Sequence, residues 1–105
     1  MESITAEGLS DLLARGGEPS LIDVREPWEF ELCRIQGSRN IPMSEIPGEI
    51  AALDKDRNTV VICHHGMRSL QVAGYLEESG FQKVINLEGG IDAWASQIDP
   101  DMPQY

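Results

Sequence analysis

The chain has 105 residues, of which 41% are hydrophobic and 25% charged, a balance typical of one globular domain with its own core. Its 18 acidic and 8 basic residues give a formal net charge of −10, which disfavours nucleic acid and anionic membranes as partners. No apolar run is long enough for a membrane span, and the first residues do not resemble a secretion signal. We expect a single domain over residues 1–105 that is cytoplasmic and monomeric.

The first half of the chain alternates helical and strand-like patterns. Leu9, Leu12 and Leu13 have the spacing of an amphipathic helix, and two glycines follow to end it. Pro27 suits the first turn of a second helix, where its missing N–H is not needed. The predicted elements are a helix over 6–15, a strand over 21–24, a helix from Pro27, a strand over 39–42 and a helix over 47–53.

The second half repeats this alternation more clearly. Thr59-Val60-Val61-Ile62 is apolar and β-branched without alternation, as in a strand covered on both faces of a parallel sheet. Strands that alternate with helices predict an α/β fold. The predicted elements are a strand over 59–62, a helix from Arg68 to Gly80, a strand over 84–87, a helix over 90–97 and a loose tail over 99–105.

Cys63 follows the predicted strand directly, and a helix is predicted about five residues later. In open parallel sheets, ligands bind beyond the carboxyl ends of the strands. The amides of a tight loop over 64–67 that leads into a helix form an anion-binding concavity, and a helix N-terminus together with Arg68 favours a thiolate. Gly66 suits a sharp turn in this loop. The pattern indicates a nucleophilic cysteine, although a buried core cysteine would have the same spacing.

Five blocks of the sequence resemble the rhodanese-like family, in the family's order and over nearly the whole chain. The resemblance implies an α/β rhodanese-like fold, with a five-stranded, mostly parallel sheet flanked by helices on both faces. It implies that Cys63 accepts sulfur as a persulfide, and that Asp23 and Arg25 brace its loop. The loop residues that it implies are His64, His65, Gly66, Met67 and Arg68. The blocks are Leu21–Arg25, Glu29–Phe30, Ile35–Pro42, Val60–Ser69 and Asn86–Trp94.

Loop length separates sulfur transfer from phosphate chemistry. Phosphatases that share this fold need an arginine six positions after the cysteine, where this chain has Ser69, with Arg68 one residue early. The shorter loop matches one sulfur atom better than a phosphate. We therefore expect a thiosulfate sulfurtransferase of the rhodanese type that passes sulfur to cyanide, a thiol or a protein acceptor. The alternatives are a binding or sensing module without turnover and, third, a phosphatase or arsenate reductase.

Several other residues leave more than one interpretation open. We expect no cofactor and no metal, because adjacent histidines such as His64 and His65 seldom point the same way and no further Cys or His completes a set. The histidines are expected to rim the pocket or to face solvent, and Met67 to line the pocket or to pack. Cys33, with Arg34, replaces the family's glycine–histidine pair and is read as buried or incidental, with a resolving thiol as the alternative. Tryptophans 28 and 94 are both read as core residues.

Overall fold

The computed structural model describes residues 2–105, which form a five-stranded sheet with helices on both faces. The strand order is β1-β5-β4-β2-β3, and every pairing among the described residues is parallel. This confirms the fold class expected from the resemblance. The strands are β1 (Glu2–Ile4), β2 (Ser20–Asp23), β3 (Arg39–Asn40), β4 (Thr59–Ile62) and β5 (Val84–Leu87).

Four α-helices lie in the connections between these strands, and a fifth follows the last strand. The predicted helix over 47–53 is instead a short α-helix, α3 (Ile46–Glu49), which has Pro47 in its first turn. Single turns of 3₁₀-helix flank α3 at Met43–Glu45 and Ile50–Ala52. No helix within residues 2–105 is long and apolar enough to cross a membrane. The helices are α1 (Ala6–Ala14), α2 (Pro27–Leu32), α3 (Ile46–Glu49), α4 (Met67–Glu78) and α5 (Gly90–Gln97).

Alternate residues of the strands pack on opposite faces of the sheet, which divides the core into two clusters. Val60 and Ile62 pack with α1 and α5, whereas Val61 packs with α3 and α4. All four residues of β4 are buried. The central strand is therefore covered on both faces, and its carboxyl end lies between the two helical layers.

The first strand is the element that the sequence patterns missed. Residues Glu2 to Ile4 carry no apolar run, and they pair with β5 at the edge of the sheet. Such a short segment becomes a strand because the open edge of β5 supplies hydrogen-bonding partners. Its formation is decided by the neighbouring strand and not by local composition.

The segment over 99–105, expected to be a loose tail, is instead packed against the domain. The amide of Asp99 donates to the carbonyl of Trp94 over 3.0 Å, and that of Met102 donates to Asp99 over 3.0 Å. Met102 is buried in the cluster formed with α1 and α5. The Tyr105 ring stacks on His64. The expectation of a loose tail is wrong because Met102 and Tyr105 find partners in the domain that the local sequence does not show.

The two tryptophans differ. Trp94 on α5 is buried in the core, as expected, but Trp28 on α2 is 61% exposed. The next residue, Glu29, faces inward on this short helix, so Trp28 is turned towards solvent and meets Tyr105 edge-on, with ring centroids 5.7 Å apart. The expectation that Trp28 is a core residue is therefore wrong.

Candidate active site

The structure places Cys63 at the carboxyl end of β4, with a side chain only 1% exposed. The amide of Gly66 donates a hydrogen bond to Cys63 Sγ over 3.0 Å. Gly66 has a φ of +97°, so the chain turns there in a left-handed conformation before α4 begins at Met67. The loop therefore presents a backbone donor and the N-terminus of a helix to the sulfur, which favours negative charge at that position.

Ser69 lies on the other side of the sulfur. Its Oγ is 3.3 Å from Cys63 Sγ, and its hydroxyl donates to Oδ1 of Asn86 on β5. Asn86 is held in place by its own Nδ2, which donates to the carbonyl of Gly66 over 3.3 Å. Because the Ser69 proton is engaged by Asn86, Ser69 Oγ is free to accept a hydrogen bond from the thiol.

The start of α5 supports the back of the loop. The amides of Ile91 and Asp92 donate to the carbonyls of Cys63 and His64 over 2.8 Å and 3.0 Å. A Cβ atom at Gly90 would collide with both of these carbonyl groups, and Gly90 has a φ of +58°. Glycine at this position therefore allows the backbone of α5 to approach the loop.

Arg68 is held by Glu29 of α2. Its Nη1 and Nη2 donate to Glu29 Oε1 and Oε2 over 2.9 Å and 3.0 Å, a bidentate geometry. The hydrogen bond from Arg68 lowers the pKa of Glu29 to about 2, and the same bond raises the pKa of Arg68. The positive charge expected beside Cys63 is therefore already paired with a buried carboxylate.

Asp23 and Arg25 form a fully buried ion pair at the end of β2, with Nη2 and Oδ2 2.7 Å apart. Arg25 also donates to the carbonyls of Glu29 and Cys33, over 3.2 Å and 2.6 Å. Burial disfavours the guanidinium charge, but the bonds to Asp23 and Tyr105 outweigh it and raise the pKa of Arg25. The pair was expected to brace the loop. Among the described residues, hydrogen bonds connect Arg25 to the loop residue Arg68 by way of Glu29.

His64 and His65 stack on each other, with ring centroids 3.9 Å apart. The Tyr105 ring stacks on the other side of His64, also at 3.9 Å. Burial lowers the pKa of His64, and the nearby His65 acts in the same direction. The Nε2 atom of His64 is buried and has no hydrogen-bond partner within residues 2–105. His64 is therefore a partly buried ring whose lowered pKa favours the neutral form.

The structure contradicts the assumption that the adjacent side chains of His64 and His65 point in different directions. The rings of His64 and His65 lie side by side, and with Asp92 they bring three possible ligand atoms within 4.8 Å of one another. Stacked rings direct their in-plane lone pairs along nearly parallel planes, which suits a single ion poorly. His65 Nδ1 instead lies 3.8 Å from the Asp92 carboxylate.

Three further expectations can be compared with the structure. Met67 is largely exposed at the start of α4, so it is not a core residue. Cys33 is buried in the cluster on the face opposite to that of Cys63, as a core cysteine would be and a resolving thiol would not. Arg25 and Arg68 meet at Glu29, whereas Arg34 lies over the Phe30 ring and Arg39 pairs with Glu49.

Four residues of the site had no role in the sequence interpretation: Glu29, Ser69 as a hydroxyl, Asn86 and Tyr105. Asn86 carried a signal, because it is a polar residue inside an otherwise apolar strand. Glu29 carried a weaker one, because it lies three residues after the N-cap Glu26 of a helix, where its Oε1 accepts from the Glu26 amide over 2.8 Å. Tyr105 carried none, since only the tertiary structure brings it to His64.

Comparison with known proteins places this architecture among relatives. The model of the rhodanese-like domain matches residues 5–97. The chain is 40% identical over 100 residues to the putative sulfurtransferase YtwF of Bacillus subtilis, covering 95% of this chain and 96% of that protein. It is 42% identical over 105 residues to the probable adenylyltransferase/sulfurtransferase MoeZ of Mycobacterium tuberculosis. That match covers 98% of this chain but only 27% of MoeZ.

A solved structure agrees with the sequence comparisons. The rhodanese-like domain protein from Staphylococcus aureus superimposes with a TM-score of 0.84 at 34% identity, covering 90% of this chain and 91% of that one. This chain therefore belongs to the rhodanese-like family.

Proposed function

We propose that the protein is a sulfurtransferase that carries sulfane sulfur on Cys63, with thiosulfate as a donor. The observation that carries the proposal is the hydrogen bond from the Gly66 amide to Cys63 Sγ, at the mouth of a tight loop before a helix. A donor at this position stabilises both a thiolate and the negative charge of a persulfide. The sulfurtransferase names of YtwF and MoeZ support the same chemistry.

In the first half-reaction, the Cys63 thiolate attacks the outer sulfur of thiosulfate. A new S–S bond forms to Cys63, the S–S bond of thiosulfate breaks, and sulfite leaves with the electron pair. In the second half-reaction, a nucleophile such as cyanide, a thiol or a protein acceptor attacks the outer sulfur. The bond to Cys63 then breaks and the thiolate is restored, so the cycle needs no external oxidant or reductant.

Ser69 is suited to the change between thiol and thiolate. In the resting site its proton is donated to Asn86, and its oxygen accepts from the thiol. When Cys63 ionises and its proton leaves to solvent, the Ser69 hydroxyl can rotate and donate to Sγ. Two donors, Ser69 and the Gly66 amide, would then stabilise the sulfur anion.

The net charge of −10 would repel an anionic donor such as thiosulfate unless the site itself attracts it. Four of the charges near the loop, on Asp23, Arg25, Glu29 and Arg68, form two ion pairs with no net charge, and Asp92 lies beside His65. The loop amides and the start of α4 therefore supply the local positive potential for thiosulfate. A reduced Cys63 suits a reducing compartment such as the cytoplasm.

The pairing of Arg68 also bears on the phosphatase alternative. Phosphate clamping needs a guanidinium that faces the substrate with both terminal nitrogens. Here both of those nitrogens of Arg68 donate to Glu29. This supports sulfur transfer over hydrolysis of a phosphate ester.

The experiment that tests the proposal is thiocyanate production from thiosulfate and cyanide. We expect the native protein to be active and Cys63→Ala to be inactive, whereas the control Cys33→Ala, whose thiol lies in the opposite core cluster, keeps its activity. Intact mass after thiosulfate treatment should show one added sulfur atom, lost in Cys63→Ala. A native protein that gains no sulfur and makes no thiocyanate would refute the proposal and favour a binding module.

A further inference from the structure

Tyr105 is connected to the site by its hydroxyl group. Its Oη accepts a hydrogen bond from Arg25 Nη1 over 2.9 Å and donates one to Glu29 Oε2 over 2.7 Å. Glu29 in turn holds Arg68, the last residue of the loop, by two hydrogen bonds. A continuous chain of charge-assisted hydrogen bonds therefore runs from Arg25 through Tyr105 and Glu29 to Arg68.

Tyr105 is connected to the loop a second time by its ring. The ring is nearly parallel to that of His64, with an interplanar angle of 6° and a centroid distance of 3.9 Å. His64 Nε2 has no hydrogen-bond partner within residues 2–105, and the Tyr105 ring supports this side chain by stacking on it from outside the loop. The same tyrosine thus contacts the first residue after Cys63 directly and the last loop residue through Glu29.

We propose that Tyr105 is a positioning residue for the chemistry of Cys63, which holds both ends of the loop over 64–68 so that the Gly66 amide stays aligned with the sulfur. This inference rests on the proposed function for its kinetic effect, although the reactivity of Cys63 tests it separately. The hydrogen bonds and ring contacts of Tyr105 are with Arg25, Glu29, Trp28 and His64, so it acts on the loop through Glu29 and His64.

The physical basis is preorganisation. A backbone donor stabilises a developing sulfur anion only while its N–H points at the sulfur, and a loop that moves spends part of its time misaligned. Glu29 is buried, and Tyr105 adds a second donor to its Oε2, which Arg68 Nη2 already contacts, so that each carboxylate oxygen accepts two hydrogen bonds. Burial and the bond to Glu29 raise the pKa of Tyr105 to about 12, so its hydroxyl remains a donor at neutral pH.

The test separates the hydroxyl from the ring. Tyr105→Phe keeps the stacked ring and removes both hydrogen bonds, whereas Tyr105→Leu removes both connections. Tyr75→Phe and Tyr75→Leu are the matched controls, because Tyr75 is 41% exposed against 37% for Tyr105 and lies on α4 outside this network. All variants are assayed with thiosulfate and cyanide at a temperature where circular dichroism shows them folded.

We expect kcat to fall about threefold in Tyr105→Phe and about tenfold or more in Tyr105→Leu, with KM for thiosulfate changed less than about twofold. The Tyr75 controls should stay within about twofold of the native protein. In a double-mutant cycle, Tyr105→Phe should have no further effect in a Glu29→Gln background, because the hydroxyl acts through that carboxylate. Additive effects, or a change in KM alone, would overturn the proposal.

Alkylation of Cys63 by iodoacetamide, followed by mass spectrometry at that residue, gives a readout that needs no sulfur transfer. A misaligned Gly66 amide stabilises the thiolate less, so we expect Cys63 in Tyr105→Leu to react more slowly at pH 7 than in the native protein. A fold that is merely loosened would expose Cys63 and make the reaction faster. An unchanged or faster rate refutes the positioning role, whereas failure of the proposed function alone would leave the slower rate intact.

Discussion

Two neighbouring strands of the sheet, β2 and β4, end in polar sites of opposite character. At the end of β2, Arg25 is completely buried and its guanidinium donates to Asp23, to two backbone carbonyls and to Tyr105. At the end of β4, Cys63 has one backbone donor and one hydroxyl neighbour. The first site is saturated with hydrogen bonds, whereas the second has capacity left for a substrate.

The difference shows how one edge of a sheet can serve both stability and chemistry. A saturated ion pair gains nothing from a ligand, because its groups already have partners. A sulfur that accepts one amide can gain further stabilisation as its charge grows, which is the condition for catalysis. Glu29 joins the two sites, since its carbonyl accepts from Arg25 and its carboxylate holds Arg68.

The largest loss in the free energy of unfolding is expected at the Asp23–Arg25 ion pair, which follows β2. Arg25→Leu leaves the fully buried Asp23 without its cation, which should cost about 3–5 kcal/mol in the free energy of unfolding. Urea denaturation measures this cost. The matched control is Arg39→Leu, which breaks an exposed pair with Glu49 and should cost less than about 1 kcal/mol. Equal costs for the two variants would show that the β2 site is not held by its ion pair.

Low pH should destabilise the folded protein through Glu29, the residue that joins the two sites. The pKa of Glu29 lies at about 2 in the folded protein against 4.5 ordinarily, so the folded state binds fewer protons in this window. The stability is present above pH 4.5 and is lost as the pH falls towards 2, by about 3 kcal/mol in all. Urea unfolding at pH 7 and pH 3 should show a smaller pH dependence in Glu29→Gln than in the native protein. The exposed control Glu49→Gln should show the same pH dependence of stability as the native protein. The same pH dependence in Glu29→Gln would contradict the role assigned to Glu29.

The smallest change in the free energy of unfolding, but a large loss of activity, is expected at Gly90, where α5 supports the loop that follows β4. Gly90→Ala introduces a Cβ against the carbonyls of Cys63 and His64 at a positive φ, which should cost about 2 kcal/mol and displace the loop. Thiocyanate production should fall more than about tenfold. Gly74→Ala, in open space within α4, should instead stabilise the protein by about 0.5–1 kcal/mol. Full activity in Gly90→Ala would mean that α5 does not position the loop.

The sequence patterns were sufficient wherever structure depends on local chemistry. Runs such as 59–62 and 84–87 are apolar throughout, so their burial in a parallel sheet could be read directly, and α1 and α5 begin at the expected residues. The position of Cys63 after a strand and before a helix likewise located the loop. The family resemblance added that the sheet has five strands, one more than the patterns predicted, but it did not locate β1.

By itself, the sequence determined the α/β class, the order of most elements and the loop that carries Cys63, because periodicity, glycines and strand composition act over a few residues. Only the tertiary structure decided that Arg68 pairs with Glu29, that Trp28 faces solvent and that the Tyr105 ring stacks on His64. These contacts join residues up to 80 positions apart, as the bond from Arg25 to Tyr105 shows. Their formation depends on how α2, α4 and the segment over 99–105 pack around the sheet, which no local pattern encodes.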